Sequence, residues 1–510
     1  MAKEYLLAID IGTESSRASL LDLEGGVVAT HCRPLELRIP RPGWAEQDPL
    51  QWWATTLENV RSVIEEGAGP SGRVLAVGVS GQMHGTVPLG PGGELLSRSV
   101  QLWCDKRCAS LVSEFVSHRM TPAVRRLSST PPAPAWLGFK IRWLQLHEAD
   151  LYQRTWKFLV PKDFINFQLT GIAATDPSEA SGSFLLGVSD GRWSNELLES
   201  LELDPCKLPD IHPSSSVIGH VTTSAARSTG ILQGTPVVAG GGDMLCALLA
   251  AGVTQSGRAC DITGTSSHLS IYAGTPSTDL RMMNLHHVVP GWITFGIVDS
   301  AGGALKWFKD TLCQEEIRTS RETGCSPYAL LDERAAEAPP GSEGLIFFPY
   351  LFGERTMGSP HARGVFFGLT PQHGKGALAR AIMEGVTLEL RRTLEIVEAT
   401  GNRVDEVRTT GGGARSQLWS QIKADIYQKP VVTFETYEGS IFGVALLAGI
   451  GADVYPDARS GAERLIRLGQ VFQPDPTVRA RYDTQFEMYK QLHDAMQESF
   501  ARYGDTLPFD

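Results

Sequence analysis

The chain opens on an apolar run, Tyr5-Leu6-Leu7-Ala8-Ile9, breaks at Asp10-Ile11-Gly12-Thr13-Glu14-Ser15-Ser16, and turns apolar again between Arg17 and Leu23. A turn at Glu24-Gly25-Gly26 leads to a third run, Val27-Val28-Ala29-Thr30. Short apolar runs separated by polar, glycine-bearing turns predict a β-meander. Asp48-Pro49 reads as an N-cap and first helical residue, with a helix running to about Glu66. Val74 to Val79 predicts a further core strand that delivers Ser80-Gly81-Gln82-Met83-His84-Gly85 at its C-terminal end, where open α/β sheets place ligands. The intervening Gly67-Ala68-Gly69-Pro70-Ser71-Gly72 matches Gly-x-Gly-x-x-Gly in letters only. It follows a helix and precedes a strand, the reverse of a dinucleotide fingerprint, so it reads as a loop. Helices are predicted from Leu137 to Glu148 and from Pro161 onward, and the Gly/Ser/Asp-rich tract 173–195 reads as turns.

The second half repeats one device: strand, glycine turn, helix. Val237-Val238-Ala239 runs into Gly240-Gly241-Gly242-Asp243, then into the apolar stripe Leu245, Leu248, Leu249. Val407-Arg408-Thr409-Thr410 runs into Gly411-Gly412-Gly413-Ala414-Arg415-Ser416-Gln417 and a helix through Tyr427. Gly302-Gly303 and Glu438-Gly439-Ser440 open helices of their own, and Ala377 to Ala399 forms a long amphipathic one. From Asp453 onward the pattern predicts a helical tail. Glycines at a helix start let a ligand lie against backbone N–H groups. Asp261-Ile262-Thr263-Gly264-Thr265-Ser266-Ser267 repeats the Asp-Ile-(x)-Gly-Thr-x-Ser pattern of residues 10–16. Two such hairpins, one per half, predict a duplicated domain closing over a polyphosphate, with a division into residues 1–246 and 247–510.

Composition narrows the chemistry. At 510 residues, 42% hydrophobic and 20% charged, the chain is an ordinary globular protein large enough for two domains. Its charge of −11, from 57 acidic against 46 basic residues without long runs of one sign, speaks against nucleic acid or an anionic membrane as main partner. Eight scattered cysteines without a Cys-x-x-Cys pair suit free thiols in a reducing cytoplasm. No Gly-x-x-x-x-Gly-Lys-Ser/Thr, Gly-x-Ser-x-Gly or His-Glu-x-x-His is present, which excludes a P-loop, a nucleophile elbow and a zincin helix. What remains is a set of glycine turns with Asp10 and Asp243 as isolated carboxylates. Phosphoryl transfer needs little more than a metal-held polyphosphate, donors around it and one carboxylate to take the acceptor's proton. Gln82 and His84 suit sugar hydroxyls, and Trp103 suits a sugar's C–H face.

Taken together, Asp10-Ile-Gly-Thr, Gly43-Trp-Ala-Glu-Gln-Asp48, Ser80-Gly-Gln-Met-His-Gly85, Gly240-Gly-Gly-Asp243, Gly264-Thr-Ser-Ser267 and Gly411-Gly-Gly-Ala414 resemble the FGGY carbohydrate kinases, in order and spacing from residue 5 to about 450. The Gln-Met-His-Gly element is most similar to the xylulokinase branch. The resemblance implies an α/β fold of two actin-like (ribonuclease H-like) domains with a catalytic cleft between them, ATP and Mg²⁺ as cofactors, and a small sugar or polyol as substrate. It implies Asp243 as general base and Asp10 as the residue positioning the metal. Thr13, Gly264 and Thr265 would flank the phosphates, while Gly302, Gly412, Gly413 and Gln417 would line the nucleotide. Gln82, Met83, His84, Trp103 and Met244 would contact the sugar beside Asp243. Xylulokinase-like members usually place Asn after the base; here Met244 removes that polar contact, so ribulose, another ketose or a polyol stays open alongside xylulose. An actin- or chaperone-like ATPase is the alternative from another class, and a homodimer is an open assembly.

Overall fold

The computed structural model describes residues 3–68, 73–128 and 130–506. Residues 69–72 of the glycine-rich Gly67–Gly72 segment lie outside these.

The first sheet is built from β1 (Glu4–Ile11), β2 (Ser15–Asp22), β3 (Val27–Pro34), β4 (Arg73–Gly81), β5 (Val217–His220) and β6 (Pro236–Val238), with the two-residue β7 (Gly241–Gly242) paired beyond β6 on β4. Its order is β5-β6-β4-β1-β2-β3. The meander β1-β2-β3 is antiparallel, β4 and β6 run parallel to β1, and β5 closes the edge antiparallel. The second sheet uses β8 (Gly257–Thr263), β9 (Ser267–Ala273), β10 (Met283–His286), β11 (Trp292–Val298), β12 (Val404–Thr410), β13 (Val431–Phe434) and β14 (Leu468–Phe472). Its order, β10-β11-β9-β8-β12-β13-β14, repeats the first sheet strand for strand and direction for direction, with β10 added at one edge. The internal repeat is therefore a duplication of the whole sheet, far longer than the seven-residue motif that hinted at it.

Two corrections concern local structure. The tract 173–195 contains a short helix, α4 (Pro177–Ser181), where only turns are expected. Asp176 caps it, its carboxylate accepting from Ser178 N–H at 3.0 Å, and Pro177 holds the first helical position. The C-terminal tail is not wholly helical, because β14 completes the second sheet before the last helix, Arg479–Thr506. That helix docks on the second lobe, where Tyr482, Phe486 and Tyr489 enter its core. The other helices needed below are α1 (Pro49–Val63), α2 (Leu137–His147), α3 (Pro161–Thr170), α5 (Asp243–Ala250), α6 (Gly302–Leu312), α7 (Pro327–Glu337), α8 (Lys375–Ala399), α9 (Gln417–Tyr427) and α10 (Ser440–Gly451).

Helices α5 and α10 lie between the two sheets. One apolar core takes Leu6, Ala8 and Ala76 from the first sheet, Cys260, Ile293 and Phe295 from the second, and Leu245, Leu248, Val444 and Leu447 from the helices. Although α10 comes late in the chain, it packs on β1 and β4 of the first lobe. The helices cross so closely that a Cβ at Gly443 would fall 1.9 Å from the Cys246 carbonyl oxygen. This shared core fixes the N-termini of α5 and α10 at one place, at the C-terminal ends of β1 and β4.

Candidate functional site

Register alone brings the two isolated carboxylates together. Asp10 in β1 lies beside Ser80 in β4, and Ser80 lies beside Gly241 in β7. At about 4.8 Å per strand, Asp10 and Gly241 are roughly 10 Å apart, and Asp243 stands two residues on, in the first turn of α5. Ser80 Oγ donates to Asp10 Oδ1 at 2.6 Å, and the Ser440 hydroxyl at the start of α10 also bonds Asp10. Burial raises the Asp10 pKa; the two hydroxyls and the Arg17 charge oppose that rise. Asp243 is pushed further, to about 7, first by burial and then by the charge of Asp10, while the Met244 N–H, donating to its Oδ1 at 2.7 Å, holds it back. A carboxylate poised near neutrality beside a second one, at two helix N-termini, is equipped to take a proton while an anion sits close by.

Around the first hairpin a polar chain holds the geometry. Trp103 Nε1 donates to Thr13 Oγ1 at 3.0 Å, and Thr13 Oγ1 donates to Gln82 Oε1 at 3.2 Å. Gln82 Nε2 donates to the Gly12 carbonyl and to Gln47 Oε1, which also accepts from the indole of buried Trp52 on α1. Gln82 is expected at the sugar, yet protein groups engage its amide at both ends, so it braces the hairpin. Trp103, nearly half exposed, stands at the rim. The Gly43–Asp48 motif is explained the same way: Arg107 stacks 3.6 Å over the Trp44 ring and bonds Glu46 and Asp105.

Met83 and His84 leave β4 on a bend, His84 with φ of 67°. Met83 lies against Gly242, where an added Cβ would meet its Cγ at 2.7 Å. The His84 ring meets Trp136 edge-on at 4.8 Å, and its Nδ1 has no hydrogen-bond partner among the described residues. Burial and the nearby Lys140 hold this imidazole neutral, well below the usual histidine range. Met244, expected beside the sugar, is half-buried and packs against the interlobe core.

The second hairpin corrects the simple repeat. Asp261 is matched in letters to Asp10, but the extra Thr263 moves it one position back along its strand. Because side chains alternate faces with a period of two, one residue sends it to the opposite side of the sheet. There it is fully buried, 3.0 Å from Lys423 Nζ on α9, and accepts from Tyr427 OH at 2.7 Å and Thr263 Oγ1 at 2.6 Å. The neighbouring Ile262 faces the interlobe core. Of the two hairpin carboxylates, Asp261 is closed off and Asp10 is the one on the interlobe side of its sheet.

Glycines of the second lobe frame a cavity of about 520 Å³. Gly264, Thr265, Gly302, Gly412 and Gly413 line it, together with Gly303, Tyr328, Asp332, Ser416 and Trp419. A Cβ at Gly302 would fall 2.4 Å from the Gly264 carbonyl oxygen, so α6 can begin against the hairpin only with glycine there. Gln417, the first residue of α9, is exposed and does not line this cavity; Ser416 before it does. Among the described residues no three His, Cys, Asp or Glu side chains converge as a metal cage. A magnesium ion that keeps its waters and takes its remaining ligands from one carboxylate and the phosphates needs none.

Family models decide the class. The N-terminal domain model of the FGGY family of carbohydrate kinases matches residues 5–250, and the C-terminal domain model matches residues 261–452. The chain belongs to the FGGY family of carbohydrate kinases. This FGGY kinase is 30% identical to the xylulose kinase of Bacillus subtilis, over 96% of this chain and 97% of that one. Its fold superposes with a TM-score of 0.91 on the xylulose kinase from Rhodospirillum rubrum, at 30% identity, covering 98% of this chain and 100% of the other. The gluconate kinase from Lactobacillus acidophilus superposes at 0.90 with 26% identity, over 98% and 100%. As a carbohydrate kinase the protein transfers phosphate from ATP to a sugar hydroxyl. None of its helices is long and apolar enough to cross a membrane among the described residues.

The residues that sequence reasoning missed sit behind the glycine turn that leads into Asp243. Lys162 on α3 is fully buried, bonded to Asp163 at 2.5 Å and to Asp176 at 3.0 Å, and donates to the Ala239 carbonyl beneath the glycine turn. Ser178 Oγ accepts from Gly242 N–H at 3.0 Å. Asp176-Pro177-Ser178-Glu179 carries the same N-cap and proline signal as Asp48-Pro49, so the helix was legible.

Proposed function

We propose that this kinase phosphorylates a ketopentose of the xylulose type, with Asp243 as general base. The observation that carries the reading is the pairing of Asp243 with Asp10 at the joined ends of β1, β4 and β7, where α5 and α10 begin. The Asp243 carboxylate takes the proton of the acceptor hydroxyl as that oxygen attacks the terminal phosphorus of ATP, whose bond to the bridging oxygen breaks so that ADP leaves. Thr13 and the Gly264-Thr265 turn flank the transferred phosphate, and Gly302, Gly412 and Gly413 take the nucleotide. Met83, His84 and Trp103 face the sugar. Asp10, with the phosphate oxygens, would hold Mg²⁺, which when bound neutralises phosphate charge. Helix N-termini supply N–H groups and partial positive charge to the same anion. All eight cysteines are unpaired, which suits a reducing cytoplasm.

The test is an ADP-release assay with D-xylulose, D-ribulose, xylitol and glycerol supplied one at a time, and identification of the product. ADP release that depends on a ketopentose, with a sugar monophosphate formed, is the expected result. Nucleotide hydrolysis that no sugar or polyol accelerates would refute a sugar kinase and favour a chaperone-like ATPase.

A further inference from the structure

The relatives of this chain include enzymes named for a neutral ketose and enzymes named for an aldonate, and one buried group bears on that choice. Glu179 sits in α4, 2% exposed, behind the end of β4. Its Oε2 accepts from the His84 N–H at 3.4 Å, while its Oε1 is buried without a hydrogen-bond partner among the described residues. A buried carboxylate oxygen without a partner is costly unless something satisfies it. The surroundings place this oxygen at the sugar end. Gly182, just after α4, lies under the imidazole so tightly that a Cβ there would meet His84 Cε1 at 2.3 Å. Ser178 in the same helix bonds the backbone of Gly242, next to Asp243. Burial pushes the Glu179 carboxyl well above the usual carboxylate range; Lys162 opposes that rise, and Asp176, Asp163 and Asp243 add to it.

We propose that Glu179 is a substrate-selecting residue of the sugar site: its free carboxyl oxygen accepts a hydrogen bond from a hydroxyl of the sugar, and the acid-lined place it completes, where the neighbouring lysines are already engaged, excludes sugar acids. This rests on the ketose-kinase reading above and sharpens it. An aldonate entering here would bring a carboxylate toward Glu179, Asp243 and Asp10 together. The nearby cations are already committed. Lys162 is held by Asp163 and Asp176, and Lys140 Nζ donates to the His84 carbonyl at 2.9 Å. A neutral polyhydroxy ketose, by contrast, supplies O–H donors and no charge. His84 Nδ1 offers the ligand a second open polar atom beside Glu179.

The experiment compares the wild type and Glu179→Gln on D-xylulose, on singly deoxygenated ketopentoses and on D-gluconate, in the same ADP-release assay. The wild type is expected to use the ketose and leave gluconate at least a hundredfold poorer in kcat/KM. Glu179→Gln is expected to raise KM for the ketose at least tenfold with kcat within about threefold, and to narrow the ketose-to-gluconate ratio. One deoxy analogue should be at least tenfold poorer than the ketose with the wild type and no poorer than it with the variant, since both changes remove the same bond. An unchanged KM and an unchanged ratio in a variant that still binds ATP normally would overturn the role of Glu179 and leave the kinase reading intact. Efficient use of gluconate by the wild type would also overturn it. A wild type that turns over nothing in the panel would instead count against the ketose-kinase reading. Glu179→Asp, which keeps the carboxyl group, separates selection from folding: it should still exclude gluconate, and gluconate use by it would refute the exclusion of sugar acids by the acid-lined site.

Discussion

Replacing Asp243 by Asn tests the site most directly, because the substitution keeps the shape of the side chain and removes both its basicity and its charge. Proton acceptance by a positioned side chain contributes about 10²- to 10⁴-fold, so kcat should fall by that factor, corresponding to ~3–5 kcal/mol of lost transition-state stabilisation. ATP affinity should stay the same, since the carboxylate is not needed to hold the nucleotide. The pH profile gives the sharper signature. With Asp243 titrating at about 7, the kcat/KM of the free enzyme should rise with pH through that value and level off above it. The observed midpoint belongs to the Asp10–Asp243 pair jointly.

Stability must respond with the opposite sign. The folded carboxyl binds a proton more tightly than the unfolded one at its ordinary 3.8, so this group favours the fold fully below that value and loses its contribution as pH rises through about 7. At ~1.4 kcal/mol per decade of proton affinity, the ionised group costs at most about 4 kcal/mol above neutrality. Asp243→Asn should therefore unfold at a higher temperature than the wild type at pH 8, with the gap reduced to roughly two-fifths at pH 5. Calorimetry at the two pH values and stopped-time ADP release across pH 5–9 are sufficient. An acid limb near 7 that survives in the Asn variant would assign the titration to another group. A kcat lowered less than tenfold would remove Asp243 as the base.

Two further substitutions probe the frame. Lys423→Met leaves Asp261 buried without its cation and should destabilise the second lobe by ~3–5 kcal/mol in urea unfolding, with Asp261→Asn in the same chain restoring part of the loss; an additive double variant would show the pair is not coupled. Gly443→Ala forces a methyl against the Cys246 carbonyl, and overpacking of this kind costs about 1–3 kcal/mol. Because α5 carries Asp243 at its start, this variant should lower kcat together with the unfolding temperature, and an unaltered kcat would show that the helix crossing does not position the base.

The sequence disclosed the parts whose signal is local and hid those whose meaning depends on register. Asp10 and Asp243 stood out because each ends an apolar run and adjoins glycine, and strand pairing through Ser80 then joins them. Asp261 carries the same local letters and has the opposite fate. One inserted residue turned it from the cleft to a buried lysine, and only the sheet's two-residue period, applied to a known strand end, separates the two cases. Met244 shows the same limit from the other side: its neighbour Asp243 stands in the cleft, while α5 rotates the next side chain toward the core shared by both lobes. Glu179 was missed for a different reason. Its segment is polar yet buried, and a tract of Gly, Ser and Asp looks like solvent-facing turns when read by composition. The cap Asp176 and the proline after it mark a helix instead, and a polar helix buried against the glycine turn before Asp243 has no solvent to face. Buried polar atoms without a partner among the described residues occur in both lobes, but His84 Nδ1 and Glu179 Oε1 lie together, joined through the His84 N–H, and no local pattern of letters announces that juxtaposition.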